Sequence, residues 1–220
     1  MSNIYESLNN LYKKPLYVVA EEMNYSKSNI LILSKKFDLL KMYHPDVWNA
    51  LLSCKHNSDK RSIEEYALDL VSSWLYEDTI LMYLKKNDFN IKLSGSDYQR
   101  KILSNSKISS NSDFIIQKDI KEKHVELINS YTNYWSRTQK VDLRDNKYLK
   151  LKSEKALLLC IDVYSKQFFI IDLLYDNHDI KYIPFHKPYA KPAYQVSINS
   201  YKPINFTILN LVQELNKIFI

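Results

Sequence analysis

A chain of 220 residues, 45% hydrophobic and 25% charged, has material for one sizeable core plus a small appended module, and its composition excludes a collagen-like, disordered or coiled-coil protein as the main architecture. Two cysteines, Cys54 and Cys160, exclude a disulfide framework, and no apolar run approaches the ~20 residues of a membrane span. A formal net charge of +6 and 18 tyrosines fit a phosphate-rich partner, although the AT-rich coding suggested by the single glycine and the many Lys, Asn, Ile and Tyr residues would give the same balance.

In chain order, the opening MSNIYESLNNLYKKP lacks the basic start, apolar centre and small-residue cleavage site of a secretion signal. The expectation is a cytoplasmic protein without membrane contact, nucleoid-associated if bacterial or phage-encoded. Leu16 to about Leu52 has helical apolar spacing, and Ser62, with Glu65 three residues on, starts a long helix reaching about Lys86. Beyond residue 88 the texture changes to short β-type runs: FNIKL, DFIIQ, HVELI, ALLLCIDV and QFFIIDLL. A helix over Leu143–Lys155 interrupts them, and KPYAKPAYQVSINSYKP reads as an extended or looped segment that can carry an edge strand. Phe206, Leu209, Val212, Leu215 and Phe219 space a closing helix. Residues 1–60 are therefore expected to form an all-helical module, and 61–220 an α/β domain with a mixed central sheet flanked by helices.

In the front module, LYVVAEEMNYSKSNILILSKKF places Val19, Met23, Ile30 and Leu33 toward one core and small Ala20 where two helices cross. Asn24 stands where the turn needs a residue tolerant of a left-handed backbone, Tyr25 plugs that turn, and Ser26 or Ser28 caps the second helix. This spacing resembles the helix-turn-helix of DNA-binding proteins; an ordinary helical hairpin shares it. On the DNA reading the second helix offers Lys27, Ser28, Asn29, Ile32, Lys35 and Lys36 outward.

In the body, two carboxylates sit at or within apolar strands, Asp113 before FII and Glu126 inside VELI. Glu77 falls on the apolar stripe of its helix (Ile63, Ala67, Leu70, Trp74, Leu81, Leu84), where an acid is costly unless paired or bound to metal. With the polar turn LSGSDYQR before Asp113, this order resembles the PD-(D/E)XK nuclease superfamily of restriction and homing endonucleases over about residues 62 to 172. In that superfamily an Asp begins or bends one strand, a Glu lies on its hairpin partner, and a Lys follows two residues later. The resemblance implies a restriction-endonuclease-like fold, Mg²⁺ as cofactor with Mn²⁺ able to substitute, and hydrolysis of phosphodiester bonds in double-stranded DNA. It further implies Asp113, Glu126 and Glu77 as metal ligands. Ser112 replaces the proline of the pattern, and Ile128 stands where the lysine is expected.

An aliphatic side chain cannot orient or deprotonate water. Lys147, four residues after Leu143 and four before Leu151, lies on the inward stripe of the next helix and needs an acidic partner, so it is the expected replacement. Arg144 and Asn129 are its rivals. Glu77 has as alternatives a rim position or an ion pair with Arg100 or Lys147, with Asp78 as the substitute acid. Asp97 is either a fourth acid near the metal or a turn cap with Arg100 as partner, and His124 either contacts phosphate or metal or is an exposed strand residue. His44, Cys54 and His56 lack the second ligand pair of a zinc site, and no glycine-rich phosphate loop exists.

Three readings follow: a metal-dependent endonuclease of restriction, homing or mobile-element type; a non-catalytic helix-turn-helix protein with a degenerate nuclease body; and a structure-selective junction resolvase, which requires a homodimer.

Overall fold

The computed structural model describes residues 14–55, 60–103, 110–175 and 179–219. It is a mixed α/β chain that divides into two compact units. The helical unit holds the chain up to Tyr83 and takes it up again at Ser96; the sheet unit holds Leu84–Gly95 and the chain from Ser110 onward. The long helix and the segment after Gly95 thus group with the front helices, whereas the sequence places a boundary near residue 60.

The helical unit contains α1 (Leu16–Glu22), α2 (Lys27–Leu33), α3 (Phe37–Tyr43), α4 (Pro45–Cys54) and most of α5 (Ile63–Lys85). Asn24 has φ 57°, and the amides of Asn24 and Tyr25 return to the carbonyls of Glu21 and Ala20, a Schellman closure of α1. The Ser26 hydroxyl accepts the Asn29 amide to cap α2. Ser62 and Glu65 exchange the reciprocal bonds of a capping box at α5. Ala20, Ile32, Leu33, Leu40, Leu51, Ala67, Val71, Trp74 and Leu75 form the core, with Met23 and Ile30 packed against it. Ile32, expected to face outward, is fully buried within it.

The sheet unit is built from β1 (Asn90–Leu93), β2 (Phe114–Lys118), β3 (Lys121–Ser130), α6 (Tyr134–Thr138), β4 (Lys140–Arg144), α7 (Asp145–Ser153), β5 (Leu157–Asp162), β6 (Gln167–Asp172), β7 (Ile180–His186), β8 (Lys191–Ser197), β9 (Ile204–Asn205) and α8 (Ile208–Phe219). One six-stranded sheet has the order β1-β2-β3-β5-β6-β9, and a second has β4-β8-β7. Only the β3–β5 pairing is parallel in the first sheet, so it is mixed.

Strand alternation gives the large sheet two apolar faces. Glu126 and Ile128 of β3 are in register with Leu158 and Cys160 of β5, which in turn oppose Ile171 and Phe169 of β6. On this face Leu158, Cys160, Phe169 and Ile171 join Tyr148 and Leu151 of α7 in one buried cluster. The other face carries Leu157, Ile161 and Phe168, with Phe168 against the Phe206 ring that leads into α8.

Three expectations change. Leu143 belongs to β4 and not to the helix, which begins at Asp145. β8 is the middle strand of its sheet and not an edge; Pro192 is accommodated because it falls at the β7–β8 irregularity, beyond the β4 ladder that ends at Ala193. The buried face of α8 is Ile208, Leu211, Leu215 and Phe219, leaving Leu209 exposed. Gly95, the chain's single glycine, is buried, and its amide faces the Asp113 carbonyl.

Candidate functional site

β2 and β3 form a two-residue hairpin in which Phe114 opposes Val125 and Ile115 opposes His124. Continuing that register one step places Asp113 opposite Glu126. Directly opposed residues share a face of the sheet, so this register puts both acids on the face covered by α7. The Asp113 carboxylate accepts the Leu127 amide at 2.8 Å, fixing the side chain at the mouth of the strand. Glu126 receives the Lys147 ammonium, with Nζ 2.7 Å from Oε2; the Glu126 side chain is 12% exposed and that of Lys147 21%. The same ammonium donates to the Asn111 carbonyl at 2.7 Å. α7 therefore brings a lysine to Glu126, while Ile128, two residues on, is packed against the core.

A polar strip continues along this face. His124, two residues before Glu126, has Nδ1 3.0 Å from the hydroxyl of fully buried Ser112 and 3.7 Å from Oε2 of Glu154. Glu154, at the end of α7, also pairs with Lys150 at 2.9 Å. Ser94 donates to the Ser112 carbonyl at 2.8 Å, tying the end of β1 to the residue before Asp113. The sequence reading missed Ser112 and Glu154 as members of this strip. The available signals were the Lys150–Glu154 spacing of four and a small polar residue, not proline, before Asp113. Below the strip, burial pushes the Cys160 thiol well above its ordinary range, and the Glu126 carboxylate adds to that.

The other expected residues separate. Asn129 differs in parity from Glu126 and points to the opposite face of the sheet, so it cannot position water beside these acids. Arg144 is exposed, its guanidinium 5.5 Å from the Tyr189 ring.

Glu77, Asp97 and Arg100 belong to the helical unit. There Arg100 Nη1 donates to Glu77 at 2.8 Å, and Nη2 to Asp78 at 2.6 Å, all three side chains being largely buried. Tyr25 donates its hydroxyl to Asp78. The cost of burying Glu77 is met by a guanidinium, which removes the argument that made it a metal ligand. Asp97 accepts the Trp74 indole N–H, and its carbonyl the Arg100 amide at 2.7 Å; its carboxylate caps an indole and does not pair with Arg100.

The expected DNA-contact set divides as well. Lys27 is exposed at the start of α2, and Ser28 is half-buried. Asn29 is buried and its amide donates to the Arg100 carbonyl at 3.0 Å, so it ties α2 to the segment after Gly95 and does not face outward. Lys35 and Lys36 are exposed but lie beyond α2: Lys35 has φ 56° and closes the helix, and Lys36 precedes α3. Of the residues considered for zinc, His56 lies outside the described residues.

Mg²⁺ takes one or two carboxylates and completes its shell with water and phosphate oxygens. The opposed Asp113 and Glu126 fit that demand as a two-carboxylate set of hard oxygen donors. Among the described residues no group of three or more His, Cys, Asp or Glu is arranged to hold a metal, and no helix is long and apolar enough to cross a membrane. No protein-family model and no curated protein matches the chain.

Proposed function

We propose that the protein is a metal-dependent DNA endonuclease in which Asp113 and Glu126 hold Mg²⁺ and Lys147 serves as the lysine of a PD-(D/E)XK-type centre. The observation that carries this reading is the contact of Lys147 with Glu126 directly across the hairpin from Asp113. A mixed sheet with helices on both faces, an Asp at the start of one strand and a Glu on its hairpin partner agrees with a restriction-endonuclease-like core.

The bound ion would lower the pKa of a water and neutralise phosphate charge. The chain supplies the rest. Leu127 N–H and the β2–β3 register hold the two carboxylates in fixed opposition. Lys147 is held by Glu126 and the Asn111 carbonyl, and an ammonium with three donors placed there can orient an attacking water and balance charge gathering on the phosphate. The Ser112–His124–Glu154 strip positions the strand ends that carry the acids. In the helical unit, exposed Lys27, Lys35 and Lys36 would grip the backbone of double-stranded DNA.

Incubation of the purified protein with linear and supercoiled DNA in Mg²⁺, Mn²⁺ or EDTA tests the proposal. Discrete metal-dependent fragments, lost in Asp113→Asn and Glu126→Gln variants that still fold, are expected. Wild-type cleavage by either variant overturns the assignment of that residue.

One observation favours a second reading. Ile128 occupies the usual lysine position and Lys147 is engaged in an ion pair, as expected of a DNA-binding protein whose nuclease body is only a scaffold. Retardation of DNA without cleavage in all three conditions would select it.

A further inference from the structure

A groove of about 760 Å³ opens in the sheet unit among the start of β3, strand β6, the segment before β9 and the end of α8. Its β-strand floor includes Phe168 and Ile170, and Lys123 stands at its wall. By alternation these residues lie on the face opposite Glu126, so the groove is separate from the candidate metal site.

The walls combine charge with rings. Four lysines face two acids there, and both acids are already engaged: Asp172 with Lys123 at 3.1 Å and Glu214 with Lys217 at 2.5 Å. Lys121 and Lys202, both exposed, have no acidic partner among the described residues and leave the groove with two uncompensated cations. Tyr175, 60% exposed, supplies aromatic surface beside them, while the Tyr201 ring at the rim packs against Phe169 of the other face. Cations that track a phosphate backbone beside rings on which bases stack are the two elements of sequence-independent single-strand binding. A duplex hides its base faces and would leave the ring unused.

We propose that this groove binds single-stranded nucleic acid, with backbone phosphates on Lys121 and Lys202 and a base against Tyr175. The proposal stands apart from the nuclease reading, because nothing in it requires Asp113, Glu126 or a metal.

The test is titration of a fluorescent single-stranded oligothymidylate with the full chain in EDTA over a range of salt, with a duplex and thymidine monophosphate as competitors. The single strand is expected to bind and to resist both competitors. Lys121→Ala/Lys202→Ala should flatten the slope of log affinity against log salt by about 1.4, near 0.7 for each single-strand phosphate neutralised. Tyr175→Ala should weaken binding about tenfold, the scale of losing one stacked base.

All of these are surface changes, and a melting curve checks that each variant folds. Absent binding by the wild type, an unchanged slope and affinity in the variants, or an effect confined to the duplex would each overturn the proposal. Because EDTA removes cleavage from the measurement, a responsive groove in a protein that never cuts DNA defeats only the nuclease reading. A cutting protein with an unresponsive groove defeats only this one.

Discussion

Lys147 of α7 and Glu126 of β3 form an ion pair of 2.7 Å in which both side chains are mostly buried. Removing one partner of such a pair leaves the other charged and poorly solvated, at a cost of about 3–5 kcal/mol, whereas removing both charges together is close to neutral. Lys147→Ala should therefore lower the melting temperature, and Lys147→Met/Glu126→Gln should recover most of the loss. On the nuclease reading, Lys147→Ala also slows cleavage by at least about a hundredfold, the scale of losing an acid–base group. Lys150→Ala, at an exposed position paired to Glu154, and Lys152→Ala change the rate little. Because the double variant also lacks the proposed ligand Glu126, it reports on stability alone, and the catalytic role is tested by the rates of the three single lysine variants at a temperature where each is folded; equal small rate effects at all three lysines would refute the role given to Lys147.

Asn29 and its neighbouring lysines should respond differently to substitution. Its amide satisfies the Arg100 carbonyl from a buried position, so Asn29→Ala strands an acceptor and costs about 1–3 kcal/mol, read as a lower melting temperature. Lys27→Ala/Lys35→Ala/Lys36→Ala leaves the core untouched and should not alter melting, while it reduces the salt dependence of duplex binding by about 0.9 in slope for each phosphate that is no longer neutralised. A triple-lysine variant with the wild-type slope would mean that these helices only pack.

What could be read from the sequence was whatever is local. The left-handed Asn24, the Ser26 cap, the Ser62–Glu65 box and the five β-runs after residue 88 all depend on residues a few positions apart, and each is present. Lys147 was placed against the candidate acids by a similar argument, an inward lysine needing an acid, although the stripe used for it wrongly extended the helix back to Leu143. The misreadings concern partners distant in sequence. Asn29 looks exposed until residue 100 supplies its acceptor; for Glu77 the sequence leaves a metal ligand and an ion pair with Arg100 both open, and only the segment after Gly95 decides for the pair. β4 was hidden because its pairing strand, β8, lies some fifty residues away, so its five residues carry too little local pattern to declare a strand.

Partly buried tyrosines give the protein an alkaline limit. Burial, reinforced by Asp78, raises the Tyr25 hydroxyl well above its ordinary value of 10.0, and burial with a hydrogen bond to Asp142 pushes Tyr134 up to about 12. Above pH 10 the unfolded chain loses these protons while the folded chain keeps them, so the native state binds more protons and stability falls as pH rises. The contribution is complete below pH 10; that of Tyr134 is lost between about 10 and about 12, and that of Tyr25 continues to fall beyond. Melting curves from pH 8 to 11 should decline above 10, and Tyr25→Phe should show a shallower decline. A flat profile in the wild type would contradict the burial of these hydroxyls.

The scarcity of glycine leaves a stabilisation within reach. Helices close most easily with glycine in the left-handed conformation, yet α2 ends on Lys35 at φ 56° and α7 on Lys155 at φ 52°, each with the paired return bonds of a Schellman motif. A side chain bearing Cβ costs about 1–2 kcal/mol in that conformation, and glycine returns part of this because it also loosens the unfolded chain. Both lysines are exposed, so no packing is forfeited. Lys155→Gly is therefore expected to stabilise the sheet unit by about 0.5–1 kcal/mol, a rise of about 1–4 °C in its melting temperature. Lys155→Ala removes the same charge but keeps Cβ and should give no gain, which isolates the backbone effect from the electrostatic one. Lys35→Gly should stabilise the helical unit similarly and at the same time weaken duplex binding at low salt, because that lysine is one of the proposed phosphate-binding residues. Equal melting temperatures for the glycine and alanine variants at position 155 would show that the left-handed closure of α7 is not the source of strain.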